Sequence, residues 1–558
     1  MDSFDDRCRR DPGGSRSIDA RPRDRRSADA RPADARPADA RRRLLGGALA
    51  ALPVAAASAS GAGSPARPPR PTFDPFGLGV ASGDPGSDRI VLWTRLVAPD
   101  GGSPTGRPGT DVAIDVRWQL AADPALRQTV ATGRLRAVPA DAHAVRVQVD
   151  GLAPDRPYWY RFHALGYDSP IGRTRTLPGA GGRSRPLRIA VASCQNFEHG
   201  HFAAYRQIAA DEPDLVVHLG DYIYEVSWGR VVRPLGLPEA RTLTDYRTRY
   251  ARYRSEPELQ AAHAAAPWVA VWDDHEVAND YADLVPERLG DAPDFGGRRA
   301  AAYRAWYEHM PVPPSLAPRG PALPIHRAFR LGDLALLTLL DTRQYRSRQA
   351  CPPPQRAGGN AVVPADCAEL ADPRRTLLGA AQEAWLARTL ARSTARWNLI
   401  GQQTLMSPLA LPAAGGAPPR IRTDGWDGYP AARQRIVDAI RGSRLANPVV
   451  LGGDLHAFYV ADLPGGERPD DPAVATEFVT TSISSQAAEQ RHYDRQRAAN
   501  PRLHYANGSQ RGYLRLTLRP DRLDADLVGL ADVRRADSTA ATQAAWVVAA
   551  GRLGALPG

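Results

Sequence analysis

The sequence predicts an α/β layer sandwich preceded by a small β-sandwich, and three observations predict it. From residue 73 to about 178, short Val-, Leu-, Tyr- and Trp-containing runs are punctuated by Gly, Pro and Asp, the spacing of a small all-β unit. After Arg185 the pattern changes to buried-type strands alternating with helix-length segments, as α/β layers are written. The chain is 558 residues with 43% hydrophobic and 24% charged side chains, enough apolar material for more than one core, which excludes wholesale disorder and a collagen-like repeat.

Residues 1–59 read as an address. Ala-Asp-Ala-Arg-Pro units over 27–40 lack apolar periodicity and are expected to be disordered. Arg41-Arg42-Arg43-Leu44-Leu45, a mild apolar stretch and Ala57-Ser58-Ala59 follow. That is the charged, apolar and cleavage order of a signal peptide, and it resembles a twin-arginine signal, which predicts export through the twin-arginine machinery and a secreted or cell-envelope mature chain. Residues 60–72, with Pro65, Pro68, Pro69 and Pro71, read as a stiff linker. Within the expected β-sandwich, 73–178, strands are predicted over Arg89–Leu96, Val112–Leu120, Thr129–Val138, Ala144–Val149 and Tyr158–Leu165, with Trp93 and Trp118 as core. Leu152-Ala153-Pro154-Asp155-Arg156-Pro157-Tyr158 resembles the fibronectin type III signature in which a Tyr caps a turn.

In the expected catalytic domain, 185–552, strands are predicted over Arg188–Ser193, Asp214–Gly220, Trp268–Trp272, Trp397–Gly401, Val449–Gly452, Ala457–Leu463, Glu477–Ile483 and Ala544–Ala550. Hairpins are predicted within Ala328–Asp341 and Leu514–Val528. Helices are expected over Phe202–Ala210, as one long helix over Leu243–Ala265, and where Leu378, Ala381, Trp385, Leu386 and Leu390 form a stripe.

Net charge is +11, and every one of the 72 cations is Arg. Residues 1–43 hold 13 Arg against 9 Asp, so part of the excess belongs to the leader. The rest reads as a solvated mixed surface. It lacks the aromatic and basic interleaving of a strand-binding groove, so no specific nucleic-acid partner is expected. No 18-residue apolar run exists, so no transmembrane span is expected. Cys8 lies in the leader, and Cys351 and Cys367 bracket a Pro/Gly-rich loop that they are able to close in an oxidising compartment. Cys194 is left as a lone thiol.

Four segments end buried-type strands with metal-ligand side chains. They are Ser193-Cys194-Gln195, Gly220-Asp221-Tyr222-Ile223-Tyr224, Asp273-Asp274-His275-Glu276 and Gly453-Asp454-Leu455-His456. Three acids and a His in four residues repel one another unless a cation compensates them. Asp454 and His456 at i, i+2 share one face of an extended chain, and the Gly residues permit close approach.

In this order the segments resemble the metallophosphoesterase superfamily, and more closely the PhoD-type alkaline phosphatase and phosphodiesterase family. Gly220-Asp221-x-x-Tyr224 matches a superfamily motif, and Gly453-Asp454-Leu455-His456 stands where its closing motif lies. The Cys194 segment replaces the usual first motif, a PhoD-type departure. Phe76 to Pro85 and Asp341-Thr342-Arg343-Gln344-Tyr345 extend the resemblance. It implies a four-layer αββα metallophosphoesterase sandwich and an exported enzyme that hydrolyses phosphate mono- or diesters through a metal-held hydroxide. The alternative is phospholipase D-like cleavage of phospholipid headgroups. It also implies an iron(III) and calcium pair, with Asp221 bridging. Cys194, Tyr224 and His456 would sit on the iron, with Asp274 and Asp454 on the calcium and Gln402 as a further oxygen. His275 and Arg343 are the candidate donors to phosphoryl oxygens. The loops Ser227–Leu243 and Ser347–Pro373 are expected to shape the substrate.

Overall fold

The computed structural model describes residues 70–98, 102, 112–181, 185–466, 468 and 471–558. The expected signal peptide, and the linker up to residue 69, lie outside them. The catalytic layers are two sheets packed face to face. In the ten-stranded sheet, Leu187–Ala192, Leu215–His218 and Pro267–Ala270 run parallel, as does Val80–Gly83 beside the last of them. Antiparallel strands from Gly512–Leu518 to the C-terminus extend one edge, and Ile90–Arg95 and Ala144–Val149 extend the other. In the seven-stranded sheet, Ala335–Leu339, Trp397–Gly401, Pro448–Gly452 and Ala473–Val479 are parallel. These strands are nearly unbroken apolar runs because both faces of a parallel sheet are covered.

Alternation along the strands sets the layers. Leu337, Leu399, Val449 and Leu451 join the central core with Val191, Val217 and Val269, whereas Ile400 and Val450 pack with Leu386, Leu390, Ile436 and Ile440. The latter four belong to the helices Gly379–Ala391 and Pro430–Gly442. Helices Leu243–Arg254, Pro257–Ala265 and Phe295–His309 contribute buried residues to the core of the ten-stranded sheet. The result is a helix, sheet, sheet, helix sandwich.

The N-terminal strands do not form a closed unit of their own. Ile114–Ala121, Thr129–Ala137, Pro157–Ala164, Tyr167–Asp168 and Gly172–Arg175 make a five-stranded sheet. Its buried face, with Val116, Leu120, Tyr160 and Phe162, packs on Ile90, Leu92 and Val145 of the ten-stranded sheet. The sandwich thus shares a sheet with the catalytic layers. Gly83 permits the junction, since a Cβ there would lie 2.4 Å from the Pro311 carbonyl oxygen. Tyr158 caps its turn as expected, its hydroxyl accepting from the Ala153 N–H at 3.0 Å. Trp93 is fully buried, while Trp118 is half-buried at the margin of this core.

One expectation is corrected and one helix was not anticipated. The single long helix over Leu243–Ala265 is two helices, Leu243–Arg254 and Pro257–Ala265, because Glu256 is extended before Pro257, whose ring disfavours helical geometry in the preceding residue. Helix Phe295–His309 has no amphipathic stripe to read because its charged residues are themselves buried: Glu308 takes Arg247 and Arg304, and Arg298 takes Glu239 and Asp291. Cys351 and Cys367 are joined by a disulfide with Cα atoms 6.0 Å apart. Replacing both by Ser is expected to lower the unfolding free energy by about 2–4 kcal/mol through loss of the loop constraint. Denaturant titration of the oxidised protein against the double variant checks it.

Candidate metal centre

Every predicted ligand except Tyr224 lies within four residues of the C-terminal end of a parallel strand. Cys194 follows Leu187–Ala192, Asp221 follows Leu215–His218, Asp274 follows Pro267–Ala270, and Asp454 and His456 follow Pro448–Gly452. This rim is where open α/β sheets bind ligands. The chain turns sharply there: Cys194, Asp221, Asp454 and His456 all have positive φ, at 57°, 57°, 62° and 54°. Non-glycine residues in this region cost about 1–3 kcal/mol each and persist where the surroundings over-determine them. Gly220, at φ +112°, passes so close to the next strand that a Cβ would lie 2.5 Å from that of Asp273.

The turns bring the side chains into two overlapping clusters. Ligand atoms of Cys194, Asp221 and His456 lie within 4.8 Å of one another, as do those of Asp221, Asp274 and His275. Asp221 belongs to both. The Tyr224 hydroxyl donates to Asp221 Oδ2 at 2.8 Å and lies 3.2 Å from His456 Nε2. The Ser485 hydroxyl, not assigned a role from sequence, bridges Tyr224 Oη and the Cys194 carbonyl at 2.7 and 2.8 Å. His456 Nδ1–H donates to the Gln486 carbonyl at 2.7 Å, which leaves Nε2 as the free lone pair. Burial holds this imidazole neutral, its pKa lowered to about 3.

The charge at the rim is unbalanced. Burial, then the negative charge of Asp221 and Asp454, pushes the Cys194 thiol well above its ordinary value. Burial does the same to Asp221, reinforced by Asp274, Asp273 and Glu276 against the opposing pull of His275. Asp454, half-buried, is raised to about 6 by burial and by Asp424 and Asp274. Asp221 Oδ1 is buried with no hydrogen-bond partner among the described residues. A buried carboxylate oxygen in that state calls for a cation. Thiol, phenol, imidazole and shared carboxylate on one side, and the Asp221 and Asp274 carboxylates with the His275 imidazole on the other, form two unlike donor sets, with Asp454 outside both clusters but close enough to Asp274 to feel its charge, so the residues fit two unlike metals.

His275 Nδ1 bonds Glu225 at 2.7 Å. Burial opposes its protonation, but Glu225, Asp274 and Asp221 together raise its pKa well above the ordinary value. Glu276 faces the backbone, accepting from the Asp221, Tyr222 and Asp273 N–H groups at 3.0, 2.7 and 2.9 Å and so tying two ligand loops together.

The Arg343 side chain is surrounded by carboxylates. Its Nε donates to Asp273, and its terminal nitrogens form a bidentate pair with Asp424 at 2.8 and 2.9 Å, with Asp274 at 3.6 Å. At 2% exposure its fork is engaged by carboxylates. Gln402 is likewise engaged locally, its Oε1 accepting from Trp426 Nε1–H and Thr404 N–H at 2.9 and 3.0 Å. Asp424 and Asp280 escaped the sequence reading. Asp424 sits in a loop after no buried strand, held by Arg343, Arg346 and Gln349. Asp280 donates its N–H to Asp274 Oδ2 at 2.7 Å, and burial with Asp424 and Asp274 lifts its own carboxyl to about 8. The Asn279-Asp280 pair just past the third motif was the available signal.

Residues 189–527 match the family model described as PhoD-like phosphatase, and residues 61–178 match that of the PhoD-like phosphatase N-terminal domain. The chain is 44% identical over 483 residues to alkaline phosphatase D of Bacillus subtilis (strain 168), covering 85% of this chain and 80% of that protein. It is similar to a solved structure of PhoD with a TM-score of 0.81 at 42% identity, covering 87% of this chain and 93% of that one.

Proposed function

The chain belongs to the PhoD-like phosphatase family and is a phosphoric ester hydrolase, and from that premise we propose that it cleaves phosphate mono- and diesters at the strand-end rim with an iron(III) and calcium pair. Cys194, Tyr224, His456 and Asp221 would hold the iron, and Asp274 and Asp454 with Asp221 would hold the calcium. When bound, such a pair supplies Lewis acidity toward phosphoryl oxygens and a water-derived hydroxide nucleophile active near neutral pH. The observation that carries the reading is the shared carboxylate Asp221, common to both clusters, with Oδ1 buried and without a hydrogen-bond partner among the described residues.

The rest of the work falls to the chain. Glu225 orients His275 and favours its cation, so that its other nitrogen is available to donate to a phosphoryl or leaving-group oxygen. Arg343, paired with Asp273 and Asp424, offsets carboxylate repulsion and keeps Asp274 in place. Gln486 fixes the His456 tautomer through its carbonyl. No side chain needs to be phosphorylated. The leader, with its paired Arg before Leu44-Leu45 and the Ala57-Ser58-Ala59 end, supports export by the twin-arginine route. Among the described residues no helix is long and apolar enough to cross a membrane.

The test is hydrolysis of p-nitrophenyl phosphate, its bis ester and phosphatidylcholine by the mature chain. Release of nitrophenol from either nitrophenyl ester, lost on chelation and restored by metal, is the expected result. Choline release without either nitrophenyl activity would favour the phospholipase D-like alternative. Inactivity on all three, with metal bound, would overturn the reading.

A further inference from the structure

We propose that Trp228 is a substrate-contacting residue, its indole N–H donating to a phosphoryl oxygen of the bound ester while its ring walls the space beside the metal cluster. The proposal rests on the functional reading above and assigns a residue that none of the four motifs contains.

Trp228 follows Tyr224 and Glu225 in the chain. Its half-buried indole lies nearly parallel to two imidazoles at once, with centroids 6.5 Å and 10° from His275 and 6.2 Å and 15° from His456. It is also 6.2 Å from the Tyr224 ring. One residue of each metal cluster therefore faces the same indole.

The segment is held from several sides. His199 Nε2–H donates to the Trp228 carbonyl at 2.7 Å, and the two rings meet edge-on at 4.4 Å. Gln486 N–H donates to the other His199 nitrogen at 3.2 Å, and burial keeps that imidazole neutral, with a pKa of about 4. Ser227 donates to the Glu198 carboxylate, which also accepts from Leu235 N–H at 3.1 Å, while the Glu198 carbonyl accepts from Val232 N–H at 2.7 Å. Arg249 donates to the Tyr224 carbonyl at 2.7 Å.

Against this pinned backbone, the Trp228 indole N–H is buried with no acceptor among the described residues. Burying a donor without a partner carries its full desolvation penalty, so such groups call for an explanation. Asp221 Oδ1 and the Trp228 N–H, an acceptor and a donor, are both buried without a partner among the described residues, and Tyr224, His275 and His456 lie beside both. A phosphoryl group drawn to the cations brings acceptor oxygens to that place, and a hydrogen bond to a charged oxygen is among the stronger kinds.

The test uses the metal-loaded mature protein with Trp228→Phe, which keeps a ring and removes the N–H, and Trp228→His, which restores a ring N–H. Competitive inhibition by inorganic phosphate and kcat/KM for p-nitrophenyl phosphate are read beside metal content. Phe is expected to weaken phosphate inhibition and to lower kcat/KM, each about tenfold or more, with bound metal unchanged and His closer to wild type. Unchanged phosphate inhibition in Phe, equal behaviour of Phe and His, or loss of metal in parallel with phosphate affinity would overturn the proposal. Direct calorimetric binding of inorganic phosphate, measured on the same variants beside the inhibition, reads the contact without turnover. A wild-type protein that binds phosphate but hydrolyses no ester therefore sinks the functional reading, and the Trp228 contact is still judged by its own variants.

Discussion

Asp221→Asn is expected to lower kcat/KM for phosphate esters by about three orders of magnitude or more while leaving the metal-free chain at least as stable as wild type. Both halves follow from the same geometry. Asp221 is the carboxylate common to the two ligand clusters, so loss of its charge weakens both cation sites, and each metal contributes several kcal/mol of transition-state stabilisation. Without cations, however, the Asp221 carboxylate is a buried charge among Asp273, Asp274 and Glu276 that burial pushes toward its neutral form. Replacing it by an amide removes repulsion, and the Tyr224 hydroxyl keeps an oxygen to donate to. Thermal unfolding in chelator, compared with unfolding in saturating metal, separates the terms: the variant matches or exceeds wild type in chelator and gains less from metal. A variant that melts far below wild type in chelator would mark Asp221 as structural.

Arg343→Ala is expected to be the most destabilising single change at the rim, by about 3–5 kcal/mol, the cost of leaving buried charge unpaired. The guanidinium is the shared partner of Asp273 and Asp424, with Asp274 close by. Arg343→Lys keeps the charge but loses the two-pronged fit to Asp424, so it recovers part of the stability and leaves activity well below wild type. A phosphate-clamping Arg would behave differently, raising KM and weakening phosphate inhibition with little change in unfolding. Denaturant titration beside steady-state kinetics distinguishes the two, and unchanged stability in Arg343→Ala would return the residue to the phosphate.

Acidity acts on the same site with a definite sign. Asp454 is raised to about 6 and Asp280 to about 8 in the metal-free chain. At these two carboxyls the folded metal-free state binds protons more tightly than the unfolded one, a contribution to stability that grows as pH falls from above 8 toward 4, while the buried neutral imidazoles of His456 and His199 act in the opposite sense as pH falls through the ordinary histidine range. Cations compete with those protons, so metal affinity falls over the same interval, with proton release on binding. Calorimetric metal titrations in buffers of different ionisation enthalpy measure that release, and a pH-independent affinity between 5 and 8 would contradict it.

What the sequence disclosed depended on how locally each feature is encoded. Strands such as Leu187–Ala192 and Pro448–Gly452 are buried on both faces and read as apolar runs. The ligands just past them stand out because Cys, Asp and His are conspicuous at such ends. Helix Phe295–His309 was missed since its buried Arg298, Arg299 and Glu308 obscure the periodicity. The sharing of a sheet between the N-terminal sandwich and the catalytic layers rests on the pairing of Ser82 with Pro267, residues too distant in sequence to relate by pattern. The target of Arg343 and the places of Asp424 and Trp228 depend on loops folding onto the rim, and periodicity carries no information about those.

In the proposed centre Cys194, Tyr224 and His456 hold one kind of cation and the carboxylates Asp274 and Asp454 another, with Asp221 between. Elemental analysis of the mature wild-type chain beside Cys194→Ser tests it most directly. Wild type is predicted to carry a transition metal together with calcium and to show visible absorption from thiolate and phenolate ligation. Cys194→Ser is predicted to lose that metal and its colour and to retain calcium. Retention of the same transition metal in equal amount by the variant would contradict the account.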